Sequence, residues 1–402
     1  MNRWVYIILL LLCSSVFAFG QTRNDTDLSL SDHARTIAER NAAQGFNDTI
    51  DRLDPDFVEA YLVVADPGSA EYSVLGHCAI RLVCKDFGLD YVFSYESEDV
   101  RQRTLAYFAG DLQMGMMYIP IAEYCAGYAK QGRGVRQYRL NLPPIVKQRL
   151  WQLLDKEATR NTTMPYDYYH KGCTNSCVRF VNVALGGIPI EYHNLSQDGV
   201  SGRELVRRNT ENALWTRFFL CFVAGNEVDE PLYGEAQLLI PNDLVKAWQC
   251  ATVQGKQLLS SQEDVLVAGN PQYEKTSFTP FICMLLLLVL CVANLFWAKQ
   301  YLDWLVLVIQ AIGGFFMTYL IFISNLCCTD WNWLYIAFNP LPIIFWYWRR
   351  YWAIPYAIIL MAWSIFMIMA IIGGNVLADW SHIFLALSFM LVVIKQYYIN
   401  DK

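Results

Sequence analysis

The chain has 402 residues, of which 55% are hydrophobic, a net charge of −6 and a sequence pI near 5.5. Its length allows two or three domains, and so high a hydrophobic content argues against a protein that is soluble throughout. The acidic balance, without a basic patch interleaved with aromatic residues, gives no reason to expect a nucleic-acid partner.

The first twenty residues have the composition of a secretory signal peptide. Arg3 precedes an apolar run over residues 5–19, and Ala18 and Gly20 place small residues at the spacing of a signal-peptidase site. Cleavage after Gly20 is predicted, with an uncleaved signal anchor as the alternative. Residues 21–50 are interpreted as a polar leader. Under either interpretation the segment that follows is exported.

Residues 51–250 are predicted to form an exported α+β domain. Strands are expected over residues 57–65, 73–83 and 90–96, with a turn at 85–88 between the last two. Residues 134–142 alternate as a half-buried strand, and Pro143 and Pro144 open an amphipathic helix. Residues 251–277 are largely polar and are predicted to link this domain to the membrane.

Beyond residue 277 the chain becomes apolar. Runs over 278–297, 301–324, 331–348, 351–373 and 380–397 predict an all-α domain of five transmembrane helices. Positive charges lie at or just after the ends of the first, third and fifth spans, at Lys299, Arg349, Arg350 and Lys395. The loops that follow the second and fourth spans, residues 325–332 and 374–379, contain no Lys or Arg. The positive-inside rule therefore places the tail, residues 398–402, in the cytoplasm and the exported domain in the periplasm of a multi-pass inner-membrane protein.

A cysteine at a predicted helix start is the leading candidate for chemistry. Apolar residues recur at helical spacing after Thr174, so Cys173 lies at a helix N-terminus, where the macrodipole lowers the pKa of a thiol. A cysteine nucleophile needs a base. Of the five histidines, His77 is the best placed, in a strand that follows Gly76. Each residue taken alone could instead be a buried structural side chain.

Neighbouring residues leave several alternatives open. His170 is a rival base, but it lies on the loop that approaches Cys173, and the rival nucleophile Cys177 lies one turn inside the helix, where the field is weaker. A third group should orient the imidazole, and an oxyanion hole could use the backbone N–H groups of Cys173 and Thr174. The side-chain candidates for these two roles are Tyr91, Ser94, Glu96 and Asn175.

The cysteines give no clear metal or disulfide pattern. Twelve are present, and nine remain after Cys13 in the signal peptide and Cys283 and Cys291 in a span are set aside, so at least one thiol should stay unpaired within the chain. The C-x₃-C spacing from Cys173 to Cys177 lacks a second pair with zinc-ligand spacing. Neither a metal nor a cofactor is predicted.

Four short motifs carry a resemblance to a known family. Gly76-His77 with its strand, the strand at 134–142, the Tyr166-x-Tyr168 loop and Gly172-Cys173-Thr174 resemble the periplasmic domain of Lnb-type lipoprotein N-acyltransferases of Bacteroidota. Five C-terminal spans also match that family's layout, although its members usually have Asn-Cys where this chain has Gly172-Cys173. The order of His before Cys is similar to permuted NlpC/P60-like papain folds.

The resemblance implies an acyltransferase with a thioester on Cys173 and His77 as its base. The implied partners are the membrane, a phospholipid acyl donor and a diacylated lipoprotein acceptor. Two alternatives remain: a cysteine peptidase or amidase acting on peptidoglycan, and a non-catalytic sensor or binding module. Outer loops containing Asp330, Trp331 and His382 are expected to face substrate, or else to anchor the chain at the interface.

Overall fold

The computed structural model describes residues 57–160, 162–270, 277–296, 300–375 and 377–399. The predicted signal peptide and leader, residues 1–50, lie outside these ranges, as do residues 400–402 of the predicted tail. A domain built on a β-sheet precedes a region of apolar helices, which confirms the predicted fold class.

Short strands and one large sheet organise the first domain. The strands in chain order are β1 (Glu59–Ala65), β2 (His77–Cys84), β3 (Leu89–Ser97), β4 (Gln113–Pro120), β5 (Val135–Arg139), β6 (Thr163–Pro165), β7 (Val200–Ser201), β8 (Pro231–Leu232), β9 (Thr252–Val253), β10 (Lys256–Gln257) and β11 (Asp264–Val267). Among the described residues, seven of these strands form an antiparallel sheet in the order β11-β5-β1-β2-β3-β4-β6, while β7 pairs with β8 and β9 with β10.

Helices cover both faces of the large sheet. Successive side chains of a strand point to opposite faces, so Cys78 and Ile80 of β2 join the main core while Ala79 packs in a second cluster with Tyr124. The main core is closed by the helices Pro144–Arg160 and Cys173–Leu185, and the second cluster by the helix Ile121–Lys130. The helices of this domain are α1 (Thr104–Ala109), α2 (Ile121–Lys130), α3 (Pro144–Arg160), α4 (Cys173–Leu185), α5 (Gly202–Arg208), α6 (Leu214–Val223) and α7 (Pro241–Cys250).

The segment predicted as a linker, residues 251–277, belongs in large part to the domain. Strand β11 pairs with β5, with Asp264 opposite Gln137, and the side chains of Leu258 and Leu259 are fully buried in the main core. The predicted boundary at residue 250 is therefore wrong, and the folded domain extends through Val267. A four-residue strand has too few alternating positions to stand out from a polar sequence.

The C-terminal region consists of apolar helices of unequal length. Within the described residues, three helical stretches are long and apolar enough to cross a membrane: Tyr301–Phe322, Trp346–Ile372 and Trp380–Tyr398. The helix of the first predicted span is shorter, at 15 residues. The helices are α8 (Pro280–Asn294), α9 (Tyr301–Phe322), α10 (Leu341–Ile344), α11 (Arg349–Ile372) and α12 (Trp380–Ile399).

The third predicted span, residues 331–348, is not one continuous helix. It contains two short 3-10 helices, Trp333–Ile336 and Trp346–Trp348, on either side of α10. Proline lacks a backbone N–H, and the Asn339 side chain accepts a hydrogen bond from Leu341 N–H in place of the helical pattern. The third predicted span is therefore interrupted around Asn339 and Pro340, where the sequence places two prolines.

Backbone hydrogen bonds join the two domains. Asn325 N–H donates to Ala109 O at 2.9 Å, and Gly225 N–H donates to Cys328 O at 2.7 Å. A Cβ atom at Gly110 would lie 2.3 Å from the carbonyl carbon of Asn325, so only glycine permits this approach. The first domain and the C-terminal helices are therefore in direct contact.

Side chains reinforce this junction. Asp379, just before α12, forms ion pairs with Arg207 Nε at 3.1 Å and Arg217 Nε at 3.6 Å. Both arginines belong to the first domain, on α5 and α6. Removing the carboxylate would leave two cations facing each other in a largely buried position, so the pair favours the docked arrangement.

Among the helices, a polar cluster surrounds a buried carboxylate. Asp303 of α9 is 0% exposed and lies 3.0 Å from Lys395 Nζ on α12. The side-chain amides of Gln396 and Asn294 also donate hydrogen bonds to it. A charge at this depth is tolerated only when it is paired, so the cluster connects α8, α9 and α12.

Candidate active site

Cys173 is the first residue of α4, as predicted. Gly172 precedes the helix in an extended conformation and provides no side-chain cap, so the first backbone N–H groups have no capping side chain. The helix packs against the main core through a buried face that includes Cys177, Val181 and Ala184. It ends at Gly186, which has a left-handed conformation. The thiol therefore lies at the positive end of the helix dipole.

His77 is the first residue of β2. Gly76 before it has φ of +83°, and a Cβ atom there would lie 2.9 Å from Ala65 O, so a larger residue would be both strained and crowded. The tight backbone turn delivers the imidazole to the end of the sheet where α4 begins. His77 and Cys173, far apart in sequence, lie close enough for their charges to interact.

Ser94 and Glu96 of β3 hold the imidazole. His77 Nε2 lies 2.7 Å from Ser94 Oγ and 3.2 Å from Glu96 Oε1, and Ser94 Oγ donates to the same Glu96 oxygen at 2.7 Å. A proton on Nε2 satisfies these acceptors and leaves Nδ1 as the nitrogen that can face the thiol. Of the three candidates on β3, the fold brings Ser94 and Glu96 to His77.

The charges at this site favour a thiolate next to an imidazolium. A hydrogen bond from the Cys78 side chain, together with the nearby His77, holds the pKa of the Cys173 thiol well below its usual range despite burial. Burial disfavours a charged His77, but Tyr128, Glu96 and Cys173 outweigh it and raise the pKa of His77 well above its usual range. A thiol with a low pKa next to a base with a high pKa is the state required of a cysteine nucleophile.

Cys78 takes the opposite role to Cys173. It faces α4, with Sγ 3.7 Å from Thr174 Oγ1 and 3.9 Å from Cys177 Sγ. Hydrogen bonds to Cys173 and Cys177, together with burial, raise the pKa of Cys78 well above its usual range. Cys78 therefore remains protonated, and its thiol donates to Thr174 Oγ1. The described cysteines are all free thiols, so Cys173 and Cys177 are not bonded to each other.

Sequence reasoning missed Tyr128 and Arg133. Tyr128, near the end of α2, interacts electrostatically with both His77 and Glu96, and burial raises its pKa. The Arg133 guanidinium lies 4.7 Å from the centre of the Tyr128 ring and donates to Asp66 O at 2.7 Å. Tyr124 and Tyr128 are four residues apart, a spacing that predicts one helical face, but the sequence of residues 118–128 does not distinguish a helix from a strand.

The other candidates near the thiol lie apart from this network or at its edge. Tyr91 packs into the main core opposite Leu82, several residues along the strand pair from His77, so it does not orient the imidazole. Asn175 is half-buried in the first turn of α4, close to Gly172. His170 is held by Asp167 Oδ2 at 3.0 Å and Glu227 Oε1 at 2.8 Å, so both of its ring nitrogens are engaged away from Cys173.

The outer-loop candidates divide into exposed and buried residues. Asp330 is exposed and Trp331 is 83% exposed, at the edge of the junction. His382 is 0% exposed, and its ring stacks on Phe218 of α6 at 4.3 Å between centres. The expectation that His382 faces substrate is therefore wrong, because α6 covers it.

A series of aromatic rings leads from the thiol to the apolar helices. Tyr166 interacts electrostatically with Cys173. The Tyr166 ring lies 6.2 Å from that of Tyr107, which lies 5.2 Å from Phe108, and Phe108 lies 5.2 Å from Phe316 on α9. We call these four residues the aromatic series. It connects the site to the second domain through packed aromatic rings.

Comparisons with known proteins identify both halves of the chain. A family model described as the Lnb N-terminal periplasmic domain matches residues 46–199, and one described as the Lnb transmembrane domain matches residues 272–402. No curated protein and no solved structure matches. Cys173 and His77 lie inside the first match, and the apolar helices lie inside the second. The chain therefore belongs to the Lnb family and is a membrane protein with a periplasmic domain.

Proposed function

We propose that this protein transfers an acyl chain from a phospholipid, through a thioester on Cys173, to the α-amine of the diacylglyceryl cysteine of a lipoprotein. The observation that carries the proposal is the array of Cys173, His77 and Glu96 in a family domain docked on apolar helices. The inner membrane, with the C-terminus in the cytoplasm, is the proposed location, since positive charge follows the first and third predicted spans.

In the first half-reaction the Cys173 thiolate attacks an ester carbonyl of the phospholipid. The uncapped N–H groups at the start of α4 would stabilise the oxyanion, and Asn175, in the first turn of the same helix, is a further candidate donor. The tetrahedral intermediate then breaks its bond to the glycerol oxygen. The His77 imidazolium gives its proton to that oxygen, so a lysophospholipid leaves and a thioester remains on Cys173.

In the second half-reaction the lipoprotein amine attacks the thioester. His77 is now neutral and accepts the proton that the amine loses as the C–N bond forms. Collapse of the intermediate breaks the C–S bond and yields an amide on the lipoprotein. Cys173 leaves as a thiolate beside the protonated His77, which restores the starting ion pair. Glu96 stabilises the imidazolium in both halves, through the 3.2 Å contact to Nε2.

Two features favour a lipid over a soluble substrate. The aromatic series offers an apolar path for an acyl chain between α9 and Cys173. The hydrogen bonds at Asn325 and Gly225 hold the periplasmic domain against the helices, so the thiol stays near the membrane surface where lipid esters are found. A cell-wall hydrolase needs neither feature.

Intact mass spectrometry of the full chain in detergent tests the mechanism. After incubation with phospholipid alone, we expect a hydroxylamine-labile adduct of acyl mass on the wild type and none on Cys173→Ala. With a diacylated lipopeptide added, we expect the adduct to disappear and a triacylated peptide to form. His77→Ala removes the group that protonates the leaving glycerol oxygen and should slow acylation about 10²–10⁴-fold.

Matched controls are the exposed Cys250→Ala and His193→Ala, which lie outside the site and should acylate like the wild type. Cleavage of the lipopeptide or of a peptidoglycan fragment, without acyl gain, would replace the proposal by the hydrolase. If neither protein nor peptide changed in mass, a binding module would be the better account.

A further inference from the structure

We call the loop before α4, which leads to Cys173, the nucleophile loop. A second cluster of reactive side chains lies on and beside this loop and takes no part in the mechanism above. His170, Glu227 and Cys328 each offer one ligand atom, and these atoms all lie within 4.8 Å of one another. The three residues come from three separate segments: the loop before α4, the 3-10 helix Asn226–Asp229, and the outer loop between α9 and α10. We propose that they form a zinc site that joins the nucleophile loop to the transmembrane domain.

The donor set is that of zinc rather than of magnesium or calcium. Imidazole nitrogen, thiolate sulfur and carboxylate oxygen are the three protein ligands of Zn²⁺, whereas the hard cations select oxygen ligands. Three protein ligands leave one tetrahedral position for water. His170 and Glu227 have side chains about half exposed, which provides that opening, while Cys328 forms the buried floor.

Asp167 occupies the position expected of an outer carboxylate. Its Oδ2 lies 3.0 Å from His170 Nδ1, which directs Nε2 toward Glu227 Oε1 at 2.8 Å. Metal-binding histidines commonly donate their second ring N–H to a carboxylate, which fixes the tautomer and the ring orientation. The backbone N–H of His170 also donates to Asp167 Oδ1 at 2.8 Å, so the loop itself holds this arrangement.

The backbone places the other two ligands without help from a metal. Gly225 N–H donates to Cys328 O at 2.7 Å, and Asn226 N–H donates to Asp330 O at 3.2 Å. A Cβ atom at Gly225 would lie 2.0 Å from Asp330 O, so glycine is required for the two segments to meet. Glu227 follows directly, which sets its side chain beside Cys328.

The arrangement gives the metal a structural role that does not depend on the proposed acyl transfer. His170 is three residues before Cys173, and Cys328 belongs to the transmembrane domain. A bound zinc would therefore hold the nucleophile loop to the membrane surface.

Elemental analysis of the full chain in detergent, after dialysis against Zn²⁺, tests the site. We expect about one zinc for each wild-type chain, and at least tenfold weaker binding in His170→Ala, Glu227→Gln and Cys328→Ser. Asp167→Asn should weaken binding about 10–100-fold, as for other outer-shell partners. His193→Ala and Cys250→Ser should bind like the wild type.

Cobalt gives a second readout that does not rely on activity. A thiolate-to-cobalt charge-transfer band should appear in the wild type and in Cys173→Ala, and should be missing in Cys328→Ser. Bound zinc should raise the Tm of the wild type but not of Cys328→Ser, even if no acyl adduct is ever seen. The proposal is overturned if the wild type binds no zinc, or if binding survives Cys328→Ser or is lost in Cys173→Ala.

Discussion

Glu96→Gln removes one charge from the site and keeps the shape of the side chain. Glu96 Oε1 lies 3.2 Å from His77 Nε2. At an effective dielectric constant of 20, two unit charges at that distance attract by about 5 kcal/mol. The Glu96 side chain is 32% exposed, so solvent screening reduces the attraction, and we use about 2 kcal/mol. Glu96 is one cause of the raised pKa of His77, so removing its charge should lower that pKa.

The sign of the effect follows from the direction of the shift. Glu96 helps to raise the pKa of His77, so the imidazolium persists to higher pH in the wild type than in the variant. Iodoacetate is an anion, and it reacts fastest with a thiolate next to a positive imidazolium. Its rate of reaction with Cys173 should therefore fall on the alkaline side as His77 loses its proton.

The assay needs no substrate. Alkylation of Cys173 by iodoacetate is measured by mass spectrometry between pH 5 and 10, and the alkaline limb should move down by about one to two pH units in Glu96→Gln. Glu98→Gln is the matched control, because Glu98 pairs with Arg103 and not with the site. An alkaline limb that stays in place in Glu96→Gln would refute the assignment of Glu96 as the partner of His77.

Two further predictions concern stability, measured by thermal unfolding in detergent. Gly88→Ala should cost the backbone penalty of about 1–2 kcal/mol for a left-handed residue, since nothing lies near its Cβ. Gly110→Ala should cost more and expose the junction to protease, and equal losses would contradict the close approach at Asn325. Lys395→Met leaves the Asp303 carboxylate buried and unpaired, at a cost of about 3–5 kcal/mol. Adding Asp303→Asn should recover part of that loss, and no recovery would argue against the ion pair.

The local features of the site could be predicted from the sequence. Gly172 before Cys173, with apolar residues at helical spacing after it, predicts the helix start found in the structure. The apolar run after Gly76 likewise predicts the strand that begins at His77. Both patterns depend only on neighbouring residues, so the helix and the strand could be predicted without the tertiary structure.

The choice among partners required the tertiary structure. Tyr91, Ser94 and Glu96 lie on one strand, and the register of β2 against β3 decides which of them meets His77. Tyr128 comes from a helix on the far face of the sheet, so no local pattern connects it with the thiol. The burial of His382 could not be predicted either, because α6, the helix that covers its ring, is far away in sequence.

The junction between the domains determines the route by which substrates reach Cys173. Its contacts come from separate parts of the chain, at Ala109, at Gly225 and at Asp379, and three separated attachments prevent rotation about any one of them. The nucleophile therefore stays at one height above the bilayer, unlike a domain on a flexible tether, which samples a volume. Lipid substrates then reach the thiol by lateral diffusion in the plane of the bilayer. Which ester reacts depends on how deep its carbonyl lies in the bilayer.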